Sequence, residues 1–215
     1  MWKIWCSSEL GHFEEVAGLV LNAQTVISTP DNAENWPLEI VWAGLGSGLF
    51  WLRQGLLQSS ALEVAIETLE QTLRVVHSNG LSAWVGPVAS PLGLALTLAG
   101  RAEHGMALCK EAVDRSPSRH GAGNSLRLTH LGVCHLALGE LSAAEEKCEL
   151  ALRLSESNGE AGHEAYAMHG LGLVAEATGN RTRAMELLKA AEISASRLCM
   201  SPLVSVCKRD LSALQ

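Results

Sequence analysis

Apolar residues recur every three to four positions along most of this chain, and the stripes they form break at regular places. In HLGVCHLALGELSAAEEKCELALRL (130–154), Leu131 and Leu138 stand seven apart, and Leu141, Ala144, Cys148 and Ala151 follow at steps of three and four. Glu145, Glu146, Lys147 and Glu149 fall between them, so one side is apolar and the other charged. This predicts two amphipathic helices with a break at Gly139. The same reading runs through the chain. Residues 1–28 hold the end of one helix and a full second helix, and the polar break STPDNAEN (28–35) follows. Asn35 is placed to cap a helix starting near Trp36-Pro37. Helix pairs are predicted over 36–78, 82–116, 122–158 and 161–197, and a last helix over 201–214. Ser60 and Glu63 have the spacing of a capping box. Pro87 and Pro91 fall where a first helix should be continuous. An interior proline costs about 3 kcal/mol, so that helix is expected to start late, near Ser90, or to kink.

The pairs are copies of one another. HLGVCHLALGELSAAEEKCELALRL aligns without a gap on HGLGLVAEATGNRTRAMELLKAAEI (169–193), at an offset of 40 residues. Leu131-Gly132 falls on Leu171-Gly172, Gly139 on Gly179, Ala144 on Ala184, Cys148 on Leu188 and Ala151 on Ala191. PLGLALTLAGRAEHGMALCKEAV (91–113) supplies Leu92-Gly93, Gly100, Gly105, Cys109 and Ala112 to the same slots. A looser copy runs through WAGLGSGLFWLRQG (42–55) and ALEVAIETLEQTLRVVHSNG (61–80). Glycines 55, 100, 139 and 179 are expected to end first helices in a left-handed conformation. Gly132, Gly172, Ala144 and Ala184 are expected to let paired helices approach closely. No such unit buries its apolar face alone, so the units stack.

A Leu-Gly pair, a glycine seven residues on, an alanine five further and another seven beyond that resembles the tetratricopeptide repeat (TPR). The resemblance implies an all-α, right-handed superhelical solenoid of stacked antiparallel helix pairs. It would form a single domain over 1–215, with a partial repeat at 1–28, repeats at about 36–80, 82–117, 122–159 and 161–198, and a capping helix at 201–214. The period here, 39–45 residues, exceeds the family's usual length of about 34. Longer units are similar to the helical regions of MalT/LuxR-type regulators and of class III cyclases with an attached ATPase module. HEAT and armadillo repeats suit the period but suit the small-residue slots less well.

Composition permits this fold and narrows its partners. Of 215 residues, 47% are hydrophobic and 18% charged, enough apolar mass for a sizeable core. The net charge is -7, and among 16 lysines and arginines only Lys208-Arg209 are adjacent, which opposes a phosphate-tracking surface. An RNA-binding helical repeat is disfavoured on the same ground. The six cysteines form no C-x-x-C pair and no secretory signal precedes them, as for reduced thiols in a cytoplasmic protein. From Ser78 to Gly100 no residue is charged, but Pro87, Pro91 and four glycines make this a helix end, a turn and a buried helix; no membrane span is expected.

Candidate chemistry is sparse. GLGSG (44–48) lacks the lysine and hydroxyl of a phosphate loop and reads as close helix packing. His130 and Cys134 share a helix face, but His135 lies off it and no carboxylate completes a metal set. His163 and His169, six apart, form no ligand pair. Glu145, Glu146 and Glu149 read as solvated charge, and Cys109 and Cys148 as buried packing. Trp36, Trp42, Trp51 and Trp84 cluster in the first half as core, end-cap or partner surface. Solenoids of the resembled type present a concave face built from first helices. In the repeat register that face carries Trp42, Arg53, Ser90, Thr97, Thr129, Tyr166, His169 and Glu176.

The expected function is a non-catalytic protein–protein interaction or scaffolding module, a cytoplasmic regulatory segment of a bacterial signalling protein. The alternative is a C-terminal fragment of a larger ATPase-linked transcription regulator or of an adenylate or guanylate cyclase. No cofactor, metal, nucleic acid or membrane is called for. The expected partner is a protein, a peptide or adjacent domains of a longer chain. The unfinished N-terminal repeat adds an expectation of self-association.

Overall fold

The computed structural model describes residues 2–29, 36–115, 121 and 123–214, and these form eleven α-helices, one short 3-10 turn and no strand. The helices are α1 (Trp2–Leu10), α2 (Phe13–Ser28), α3 (Pro37–Gly55), α4 (Ala61–Ser78), α5 (Val85–Leu98), α6 (Ala102–Asp114), α7 (Asn124–Ala137), α8 (Leu141–Asn158), α9 (Ala161–Ala177), α10 (Arg181–Arg197) and α11 (Ser201–Ala213). They stack as antiparallel pairs in an all-α, TPR-like solenoid. Asn35 and the unit edges at 117 and 122 lie outside the described residues.

Each pair closes where the small-residue slots predict. A Cβ added to Gly93 of α5 would meet Cys109 Sγ at 2.5 Å and the Gly105 carbonyl at 2.7 Å, both on α6. At Gly172 of α9 it would meet Leu188 of α10 at 2.7 Å. Gly44 and Gly48 likewise lie against Thr72 and Leu69 of α4, so the GLGSG stretch is a helix-crossing surface. Gly100, Gly139 and Gly179 end their helices with φ of 82°, 76° and 79°. Gly55 departs from the expectation. It is the last residue of α3, the right-handed Leu56 follows, and its missing side chain makes room for Leu62.

Two further expectations are corrected. Ser60 caps nothing with its side chain, because its own backbone is helical (φ -59°, ψ -23°). The amides of Ala61 and Leu62 are taken by the carbonyls of Gln58 and Ser59, and Glu63 is left to receive Arg101 Nη2 at 2.7 and 2.8 Å. α5 begins at Val85, earlier than Ser90. The 3-10 turn Ser82–Trp84 leads into it, and Pro87 falls in the first turn, where amides have no intrahelical acceptor to lose. Only Pro91 lies in the helix interior. α5 has 14 residues, and no helix among the described residues is long and apolar enough to cross a membrane.

The first helices of successive pairs pack on one another, α3 on α5, α5 on α7 and α7 on α9, and so build the inner face. α4, α6, α8 and α10 lie outside. α11 covers α10 at the C-terminal end. α1 lies against α3 and reaches α11. A Cβ on Gly11, just past α1, would come within 3.0 Å of Ser201, and Arg209 Nη1 donates to the Leu56 carbonyl at 3.3 Å. The chain's two ends therefore meet, with α1 as an added wall of the interior.

Candidate functional site

Five helices surround a cavity of about 390 Å³ on the inner face. α1 supplies Trp5, α3 supplies Trp42, Leu45, Leu49 and Arg53, α5 supplies Ser90 and two prolines, α7 supplies Leu126, Arg127 and His130, and α9 supplies His163, with Glu160 just before it. Trp84, from the turn before α5, meets Trp42 edge to face with ring centroids 4.5 Å apart. These side chains converge because α3, α5 and α7 present the same repeat position to the inside.

Arg53 is the centre of the polar arrangement. Its side chain is only 1% exposed, and Nε and Nη2 both donate to Glu9 Oε1, at 2.8 and 2.7 Å. Tyr166 of α9 donates to Glu9 Oε2 at 2.8 Å, and the guanidinium stands 4.7 Å over the tyrosine ring. Three helices from opposite ends of the chain are thus clasped by one charge pair. Burial pushes the Glu9 carboxyl up, but the charge and hydrogen bonds of Arg53, with those of Tyr166 and Trp5, hold it below its ordinary value. Arg53 Nη1 has no hydrogen-bond partner.

Deeper in the cavity, His130 Nδ1 and Ser90 Oγ are 2.8 Å apart. Burial, with the charges of Arg53 and His163 adding to it, holds His130 down at about 3, so it is neutral at ordinary pH. On the opposite side Glu160, the residue before α9, accepts from the Gly123 amide at 2.8 Å and from Ser125 Oγ. His163 Nδ1 lies 3.0 Å from the same hydroxyl. A Ser-His-Glu trio invites a hydrolase reading, but Ser125 is buried and its proton is directed to the carboxylate, away from the imidazole. The trio ties the starts of α7 and α9 together.

Of the residues expected on the concave face, Trp42, Arg53 and Ser90 line this cavity. Tyr166 lines a second one of about 500 Å³ across the clasp, with Trp5, Glu9 and Leu126. Thr97 and Thr129 are buried, and their hydroxyls donate to Gly93 and Ser125 carbonyls one turn back. His169 Nε2 pairs with Asp210 of α11 at 2.8 Å, and Glu176 is exposed near the end of α9. The sequence reading missed Trp5, Glu9, Arg127, His130 as a wall residue, Glu160 and His163. Continuing the inner-face register back into α1 finds Trp5 and Glu9, which are one helical turn apart.

Cys134 Sγ contacts Thr97 Oγ1 at 3.1 Å and Cys109 Sγ at 3.5 Å, away from His130's partner. Among the described residues no group of three or more histidine, cysteine or acidic side chains is arranged for a metal ion. A separate surface lies at the N-terminal end of the stack. Leu19 and Val26, seven apart on one face of α2, and Trp36 and Leu38 at the start of α3 are exposed, Trp36 to 60%, while Leu21, exposed to 62%, stands on the other side of α2. A hollow between Leu19, Ala23 and Trp42 joins this surface to α3.

No family model matches the chain, and no curated protein matches it in sequence. Solved structures do match its fold. BtubC (BKLC) from P. vanneervenii superposes with a TM-score of 0.61 at 17% identity, over 89% of this chain and 76% of that one. A Podosopora anserina putative kinesin light chain of nearly identical TPR-like repeats gives 0.55 at 16% identity, over 89% and 90%. MamA from AMB-1 gives 0.50 at 20% identity, over 91% and 95%. At these identities the likeness establishes the TPR-like fold.

Proposed function

We propose that the protein is a non-catalytic interaction module, a regulatory or scaffolding segment of a bacterial signalling protein in the cytoplasm. TPR-like folds are typically protein–protein interaction scaffolds, because a stack of helix pairs offers long continuous faces. The observation that carries the reading here is the apolar surface at the N-terminal end of the stack, where Leu19 and Val26 of one face of α2 and Trp36 and Leu38 at the start of α3 are exposed. Such a patch marks a contact surface. A protein or peptide, or a second copy of the chain, would dock there and extend along α3 past Trp42. Tyr166, His169 and Glu176 are further proposed contacts on the inner side.

The test is a pair of charge substitutions, Leu19→Glu with Leu38→Glu, both at exposed positions. The wild type should self-associate in light scattering or capture a protein from source-cell extract. The variant should lose that association with an unchanged circular dichroism spectrum. Association that survives the substitutions, or a wild type that binds nothing, refutes the reading. The same surface fits the second reading, in which a preceding ATPase, cyclase or transcription-regulator part stacks on α2. An immunoblot of source cells decides that one: a band several times larger than a 215-residue chain supports it, and a band at that size sinks it.

A further inference from the structure

We propose that the inner cavity is a binding site for a small carboxylate with an apolar, aromatic body. Arg53 is buried, Glu9 answers its charge, and its Nη1 is closed off from the cavity as it is from solvent. The cation that a ligand in the cavity can meet lies on α7.

Arg127 of α7 lines the cavity, and among the described residues no carboxylate or other acceptor pairs with it. Burial pushes its pKa down, the mark of a charge kept partly from water without an anion beside it. The acidic groups at hand are already engaged. Glu9 serves Arg53 and Tyr166, and Glu160 serves Gly123 and Ser125. His130 adds no charge. Among the described residues Arg127 is a cation of the wall that no carboxylate is bonded to, and it favours an anion over a neutral acceptor.

The remaining wall defines the rest of the ligand. Trp5, Trp42 and Trp84, with Leu45, Leu49 and Leu126, offer aromatic and aliphatic faces, while the polar wall residues Ser90, His130, Glu160 and His163 are held in the pairings already described. The volume of about 390 Å³ falls within the usual range of small-molecule sites. A planar aromatic acid would place its carboxylate at Arg127 and its ring against the indoles. This site is separate from the apolar end of α2 and α3, so failure of one proposal leaves the other standing.

The experiment titrates the full chain with 2-naphthoate, by calorimetry and tryptophan fluorescence, beside the neutral 2-naphthamide. A ligand of about a dozen non-hydrogen atoms in such a site should bind with a Kd on the order of 10–100 μM. The amide should bind at least about tenfold more weakly, since it cannot answer the cation. Arg127→Gln, at a half-exposed and unpaired position, should weaken naphthoate about tenfold and leave the amide unchanged. Arg127→Lys should restore part of the loss. Leu126→Trp should fill the space and abolish both. Equal binding of acid and amide, naphthoate binding indifferent to Arg127→Gln, or no binding in the millimolar range overturns the proposal. So does equally tight binding of acetate, which would make this an anion site without an apolar half.

Discussion

Glu9→Gln is the most informative single change in this protein. It keeps the shape of the side chain and removes the one charge that answers Arg53 among the described residues. The guanidinium, 1% exposed, cannot move into water without displacing α1 or α9. Breaking a buried pair from one side costs about 3–5 kcal/mol, because the other charge stays buried. Glu9 itself is 20% exposed and glutamine keeps one acceptor, so the loss should fall near the lower end, about 3 kcal/mol. Arg53→Met alone leaves a carboxylate that Tyr166 still serves and water reaches, and should cost less. The double variant should cost clearly less than the sum, with a coupling of about 1–3 kcal/mol. Urea unfolding at pH 7, followed by circular dichroism and by tryptophan fluorescence, closes the cycle. The pH matters because Glu9's pKa is lowered on folding. Its stabilisation is complete above the unfolded value, about 4.3, and is lost as pH falls through the lower folded one. Additive costs, or a Glu9→Gln loss under about 1 kcal/mol, would refute the reading of the clasp as a desolvated ion pair.

Two further outcomes test the packing and the cavity. Gly93→Ala should destabilise by about 1–3 kcal/mol despite better helix propensity, because the new methyl meets a backbone carbonyl at 2.7 Å. Gly18→Ala, inside α2 with nothing within 4 Å, should stabilise by about 0.5–1 kcal/mol; urea midpoints of the pair must shift in opposite directions. His130, at about 3 in the fold and 6.5 when exposed, binds its proton more readily unfolded. Its contribution is therefore present above pH 6.5 and drains as pH falls toward 3, by up to about 1.4 kcal/mol per pH unit. His130→Gln should flatten the urea midpoint between about pH 7 and 4.5, and identical wild-type and variant slopes would show that His130 is not held neutral.

The repeat was legible because its signal is local. Gly93, Gly132 and Gly172 stand at the same slot, and each backs onto a residue of the partner helix that its own unit supplies. Helix spans followed from the same periodicity. What stayed hidden depends on contacts across the whole chain. Glu9 and Tyr166 are 157 positions apart, and no spacing rule within a repeat relates them. Trp42, Arg53 and Ser90 of the concave-face register come together at one cavity because those positions recur in successive first helices. The register could not tell that Thr97 and Thr129 point between helices, since a one-position rotation along a helix separates an inner residue from a packed one. The capping box failed for a local reason as well: Ser60 was already taken into a preceding turn.

The placement of α1 links the two proposed surfaces. α1 carries Trp5 and Glu9 to the cavity wall, and α2 behind it carries Leu19 and Val26 of the end surface. An aromatic acid held by Arg127 lays its ring against Trp5 of α1 and so favours the arrangement in which α1 is docked. By linkage, a ligand that binds only the docked form stabilises it by RT ln(1 + [L]/Kd), about 2.7 kcal/mol at a hundredfold excess over Kd. Hydrogen exchange reads this directly. Saturating 2-naphthoate should slow the amides of α1 and leave those of α10, which lines no part of the cavity, unchanged. In the Glu9→Gln variant the protection of α1 should be lost in both states, because the residue that joins α1 to Arg53 is gone. Protection spread evenly over α1 and α10 would mean that the ligand stabilises the fold as a whole, with no separate hold on the N-terminal helix.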